Sequence, residues 1–419
     1  MLNENVPFRR RDYLKITIFG FALTAVWQSL HTIILPLRLL DFVAEAQKNT
    51  YLGLMTLAGL LLAMFVQPVA GAISDRSGFQ WGRRRPFILI GGIAAIFIIP
   101  GFGLAGSFIA VFIIYSLLQV STNVAQGPYQ AFIPDMVPGD KRGLASGVKA
   151  LLEIVGGVSL LGVTSLFMGK YSATGSGNWL WLTLGLLGLI MLITTLATVI
   201  VVKEAAPAAG RLKATLLGTL FTTAREVLSR REIRWFLASR MLVYMAFTTI
   251  QQFALYFLRD VVGVADPAAA TRNFLISAVA GMLLAVWPAG FLSDRIGRRP
   301  VTISSGLIGA LGVGIIALSR EYGTILWAAG IIGLAMGAFN TANWALATDL
   351  VARGEEARHL GIANIATAGG AALARGIGPV IDYFNRREPG LGYDVMLLVC
   401  VAYFVIGSAL VLKIKRPSS

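Results

Sequence analysis

Twelve apolar stretches, each long enough to cross a bilayer, take up most of this chain. They fall at 13–37, 50–73, 86–105, 108–134, 143–168, 178–202, 234–258, 272–292, 300–318, 323–348, 358–383 and 392–412. About 20 helical residues cross the ~30 Å hydrocarbon layer. Inside that layer the backbone must satisfy its own hydrogen bonds, which selects helices. The expected fold class is an all-α membrane protein of twelve transmembrane helices. Composition agrees: 56% of the 419 residues are hydrophobic and 14% charged, against about 25% charged in soluble proteins. That excludes a soluble enzyme, a disordered chain and a disulfide scaffold. The single cysteine, Cys400, excludes a disulfide pair and a cysteine metal cage. The first stretch follows Arg9-Arg10-Arg11 and is longer than a signal-peptide core, so it is read as the first membrane helix.

The formal charge of +15 has to be read by location. The termini and even-numbered loops carry 25 Lys and Arg residues and the odd-numbered loops 8, with Lys149, Arg240 and Arg375 inside spans. Basic loops stay in the cytoplasm. Both termini are therefore expected there, in a plasma (inner) membrane, and the basic excess implies no nucleic acid.

The chain repeats itself. Gly71-Ala-Ile-Ser74-Asp75-Arg76 returns as Gly290-Phe-Leu-Ser293-Asp294-Arg295, and an arginine cluster ending in proline follows each copy: Gly82-Arg83-Arg84-Arg85-Pro86 and Gly297-Arg298-Arg299-Pro300. The two aspartates are 219 residues apart. A second pair, Pro134-Asp135 leading to Arg142 and Thr348-Asp349 leading to Arg358, has its aspartates 214 apart. Two homologous six-helix bundles are expected, at 1–202 and 234–419, joined by a basic cytoplasmic linker at 203–233. Such repeats build many secondary transporters, with the solute site at mid-membrane.

These motifs resemble the major facilitator superfamily over essentially the whole chain. Ser74-Asp75-Arg76 with Gly82-Arg83-Arg84-Arg85-Pro86-Phe87-Ile88, and Asn123-Val-Ala-Gln126-Gly127-Pro128, resemble its sucrose:proton symporter branch, related to the glycoside–pentoside–hexuronide carriers. Plant sucrose carriers have an acidic residue seven positions before the Gln-Gly-Pro and a basic residue two positions after it. Here those places hold Gln119 and Gln130, so the pair that would handle proton and sugar is absent from this helix. The resemblance also implies that Asp75 and Asp294, beside Arg76, Arg83, Arg84, Arg295 and Arg298, lock the cytoplasmic side of an outward-facing carrier. Asp135 with Arg142, and Asp349 with Arg358, would add a second layer. The alternative is that these arginines only fix topology.

Glu153 lies about ten residues into its span, or ~15 Å. A carboxyl at that depth marks a functional site by default, and Lys149 stands one turn away on the same face. Either the pair serves proton coupling or substrate binding, or it is structural, as an ion pair or as a Glu bonded to a neighbouring helix. Arg375 is expected to snorkel or to pair with Asp382, with anion binding as another role. A sugar site needs amides, hydroxyls and an aromatic face. The candidates are Trp27, Gln28, His31, Asn123, Gln126, Tyr244, Gln251, Gln252, Asn340, Asn343, Trp344 and Asn364, with Trp287 in the eighth span. By resemblance, spans 1, 4, 7 and 10 line the cavity. Hydrogen bonding between helices is the plainer use of the same amides.

Two scattered histidines and one cysteine show no catalytic or metal-binding motif, and no cofactor is expected. The reading is a monomeric, alternating-access carrier of a small polar solute, a sugar or glycoside first, driven by protons or another cation. A major facilitator exporter of drugs, lipids or other amphipathic or anionic compounds is the alternative.

Overall fold

The computed structural model describes residues 9–204, 230–350 and 356–414, without the side chains of 348 and 356–363. Most of the expected linker, and the Arg358 side chain, lie outside it. The described helices are α1 (Arg10–Leu40), α2 (Lys48–Arg76), α3 (Arg85–Ile98), α4 (Phe108–Gln130), α5 (Arg142–Thr174), α6 (Gly177–Val201) and α7 (Arg231–Phe257). Then come α8 (Pro267–Ile296), α9 (Arg298–Leu318), α10 (Tyr322–Asp349), α11 (Glu356–Arg375), α12 (Gly378–Asn385) and α13 (Leu391–Val411). Among the described residues there is no strand.

Among the described residues, eleven helical segments are long and apolar enough to cross a membrane. The segment expected at 358–383 is instead two helices, α11 and α12, broken at Gly376 and Ile377. Pro379 explains the break, because it cannot supply the N–H that the Arg375 carbonyl would accept in a continuous helix. Pro36 acts in the same way on α1: the turn Leu30–Ile34 just before it is wound as a π-helix. Another π turn, Leu258–Val262, follows α7.

Packing divides the helices into two compact units. One contains the chain up to Val43 and then α2 from Ala58 through α6. The other contains Ala44–Leu57 and α7 to α13. In the first unit α1 packs on α5 and α6, and α3 on α4 and α6. In the second α7 packs on α11 and α13, and α9 on α10 and α13. The sequence repeat thus reappears as a repeated pattern of helix partners. Large apolar side chains such as Phe97, Leu104 and Leu318 stay exposed on the outside, as surfaces facing lipid hydrocarbon require.

Candidate functional site

In the first unit, polar groups form a column inside α1 and α4. Along α1 the partly exposed residues Phe21, Thr24, Trp27, Gln28 and His31 recur every three or four positions, so they share one face. Trp27 stacks on His31 with centroids 5.0 Å apart. His31 Nε2 and the Tyr115 hydroxyl are 2.9 Å apart, and Gln119 Nε2 donates to that hydroxyl at 2.8 Å. Asn123 Nδ2 then donates to the Gln119 carbonyl at 2.8 Å. Gly59 of α2 makes room for the tyrosine, since a Cβ there would sit 2.3 Å from Tyr115 Cε1. Gln28 donates to Thr32 at 3.3 Å, and Gln126 is half-buried one turn beyond Asn123. The sequence reading did not select Tyr115 or Gln119 as lining residues. Their signal was present, because both lie on the i, i+4 face that ends at Asn123.

Glu153 faces the interior of its unit. Its carboxylate is 3.7 Å from Lys149 Nζ, and that ammonium lies over the Tyr129 ring at 5.3 Å. The Tyr129 hydroxyl donates to the Thr17 carbonyl at 2.9 Å. These groups can approach α1 only because residue 20 is glycine: a Cβ there would lie 2.5 Å from the Tyr129 oxygen and 3.0 Å from a Glu153 oxygen. The side chain of Glu153 keeps 33% exposure, so this carboxyl of α5 is held close to α1 and α4 and still reachable.

The second unit has its own cluster. The Tyr244 hydroxyl of α7 donates to Asn340 Oδ1 of α10 at 2.6 Å. Arg240, four residues earlier, donates to Asn343 Oδ1 at 2.6 Å and to Thr367 Oγ1 of α11 at 2.8 Å. Its guanidinium lies over the rings of Tyr244 and Trp344, at 5.2 and 5.5 Å. Arg240 had no expected role, and only the tertiary structure brings it to these partners. Asn364 is exposed and Gln251 half-buried, both outside this hydrogen-bond network. Gln252 is buried, and its Nε2 has no partner among the described residues. Trp287 differs from expectation. It is 80% exposed, beside Leu283, Leu284 and Phe291 on an apolar face, and does not join the polar cluster.

The two signature loops are built differently. In the first unit Arg84 is buried and reaches Asp75 at 2.5 Å, Asp135 at 2.8 Å and Ser74 Oγ at 2.8 Å. Arg83 also pairs with Asp135, at 2.8 Å. Glu204 accepts the backbone N–H groups of Arg83, Arg84 and Arg85, placing a carboxylate on the positive N-terminus of α3. The expected Asp135–Arg142 pair is not formed, because Arg142 bends back to the carbonyls of Pro134 and Val137. Arg76 is exposed with no ion pair among the described residues. In the second unit Arg298 pairs with Asp349. Asp294 is exposed without an ion pair among the described residues, and Arg295 lies over Phe291. A cleft of about 470 Å³ lies beside Asp294, Arg298 and Asp349.

At the other end of the second unit, Ala44–Leu57 is held by polar contacts. Lys48 Nζ is 2.6 Å from Asp260, and Arg259 Nη2 is 2.7 Å from Glu45. Asp382, 1% exposed, accepts from Asn49 Nδ2 at 2.8 Å and from the Thr50 N–H at 2.6 Å. The expected Arg375–Asp382 pair is therefore absent. The break between α11 and α12 separates the two, and Arg375 donates to the Ala371 carbonyl instead.

A family model described as MFS/sugar transport protein matches residues 18–413. The chain belongs to that family. As a member of the MFS/sugar transport family it is a multi-pass membrane transporter, not an enzyme. Among curated proteins it is similar to the minor myo-inositol transporter IolF of Bacillus subtilis, 38% identical over 23% of this chain and 22% of the relative. It is also similar to the sucrose transport protein SUC4 of Arabidopsis thaliana, 31% identical over 26% of this chain and 25% of the relative. The chain thus aligns with about a quarter of the length of these relatives. Over whole chains its fold matches the crystal structure of the nucleoside transporter NupG, with TM-score 0.75 and 16% identity over 97% of this chain and 99% of the other. It also matches a D-xylose-proton symporter, with TM-score 0.70 and 14% identity over 97% and 99%.

Proposed function

We propose that this transporter carries a small polyhydroxylated solute, a sugar, glycoside or cyclic polyol, by alternating access coupled to protons. The observation that carries the reading is the column Trp27–His31–Tyr115–Gln119–Asn123, with Tyr244–Asn340 in the second unit. Each offers an aromatic surface beside hydroxyl and amide groups, the combination that binds sugar rings. The myo-inositol and sucrose relatives support the same solute class. Glu153 is the coupling group in this reading, and Lys149 is its ion-pair partner. The chain works as a monomer in the plasma (inner) membrane with both termini in the cytoplasm.

Reconstituted uptake tests this directly. Proteoliposomes are given labelled sucrose, glucose, xylose or myo-inositol, with and without an inward proton gradient. Saturable uptake of at least one of them, stimulated by the gradient, is the expected result. No saturable uptake of any of the four would remove the sugar reading. Uptake indifferent to the gradient would remove proton coupling alone.

A further inference from the structure

Among the described residues, Arg240 is a buried cation without a counter-ion. It is 3% exposed and nine residues into α7, ~14 Å along the helix axis and near mid-membrane. A guanidinium does not lose its proton in a protein, so its charge has to be stabilised where it stands. The structure offers two neutral acceptors, Thr367 and Asn343, and two aromatic faces, Tyr244 and Trp344. No carboxylate among the described residues lies within ion-pair distance of it. Buried charges without a partner are costly, and intramembrane ones mark solute or ion pathways.

Donors are also left over at this place. Nη2 of Arg240 has no hydrogen-bond partner among the described residues. Asn343 is fully buried, and its Nδ2 has none either. Two neighbouring N–H groups therefore lack an acceptor. The flanking Trp344 is 40% exposed and Tyr244 half-buried, so one side of the cluster is open.

The repeat sharpens the contrast. Tyr129 and Asn343 are 214 residues apart, and so are Glu153 and Thr367, the same offset as Asp135 and Asp349. The first unit thus places an acid where the second has Thr367 bonded to a base. The Glu153 position has its own cation in Lys149, whereas the Arg240 position has no matching anion.

We propose that the Arg240–Asn343 cluster is a binding subsite for a carboxylate on the transported solute, making the cargo a sugar acid or another polyhydroxy acid. This rests on the polyhydroxylated-solute reading above and adds an anionic group to it. A carboxylate is planar, as the guanidinium is, and supplies acceptors for both leftover donors. The rival is a purely structural cross-link of α7, α10 and α11.

The test uses the purified full-length protein in detergent, with thermal shift and equilibrium binding of four probes: D-gluconate, D-glucuronate, D-glucose and myo-inositol. Wild type is expected to bind at least one of the acids about tenfold or more tightly than glucose. Arg240→Gln should abolish that preference, so that the acids bind no more tightly than glucose. Asn343→Asp provides a second variant that keeps α7 and α10 linked, because it hands Arg240 an internal carboxylate. It should also lose acid binding, and a structural cross-link alone predicts no such loss. Equal binding of acids and glucose by wild type, or acid preference retained in Asn343→Asp, overturns the proposal and leaves the sugar reading standing. No binding of any of the four probes overturns both.

Discussion

Arg84 joins Asp75 and Asp135 at 2.5 and 2.8 Å from a buried position, whereas the repeat-related Asp294 stands exposed with no ion pair among the described residues. One signature motif has thus produced a closed network in the first unit and an open cleft in the second. Arg84→Ala removes the cation between two carboxylates, leaving Asp75 without its ion pair and Asp135 with Arg83 alone. The expected cost is about 2 kcal/mol, below the ~3–5 of a fully buried pair, because water reaches both acids. Arg298→Ala, whose pair with Asp349 is more exposed, should cost under about 1 kcal/mol. Thermal midpoints of the two variants in the same detergent measure the difference, and equal losses would contradict this account.

Glu153→Gln keeps the shape of the side chain and removes its proton exchange. Gradient-driven accumulation should disappear, while exchange of labelled for unlabelled solute persists, because exchange needs no net proton movement. Accumulation at the wild-type level would exclude Glu153 as the coupling group.

Gly20 has no room for a methyl group, since its Cβ would meet the Tyr129 oxygen at 2.5 Å. Gly20→Ala should destabilise by about 1–3 kcal/mol through overpacking. Tyr129→Phe removes the obstructing oxygen, so the double variant should regain part of that loss. Strictly additive losses in denaturation experiments would show that the contact is not the cause.

Asp382→Ala leaves the Thr50 N–H without its acceptor and the Asn49 amide with only its longer bond to the Tyr393 hydroxyl, at 3.3 Å. A buried orphan costs about 1–3 kcal/mol, so the Lys48 end of α2 should loosen from α12. Hydrogen–deuterium exchange of the Thr50 amide should accelerate, with the interior of α5 unchanged as a control. Unaltered exchange at Thr50 would mean that Asp382 does not hold this segment.

The apolar run lengths, the uneven placement of Lys and Arg between alternate loops, and the Asp75/Asp294 repeat could all be read from the chain. Each is a local property of spacing or of composition. Bilayer thickness turns run length into helix count, and one duplicated motif implies one duplicated bundle. The inward position of Glu153 was legible for the same reason, since a carboxyl deep in an apolar run stands out by position alone. The partners were not legible. Arg142 turning to carbonyls instead of Asp135, Glu204 capping α3, Asp382 binding Asn49 instead of Arg375, and Arg240 meeting Asn343 and Thr367 all depend on which helix faces which. Helical periodicity fixes the face a side chain occupies but not the neighbour across from it. That choice is made by close packing over the whole unit, where a glycine at residue 20 or a proline at 379 decides which groups can meet.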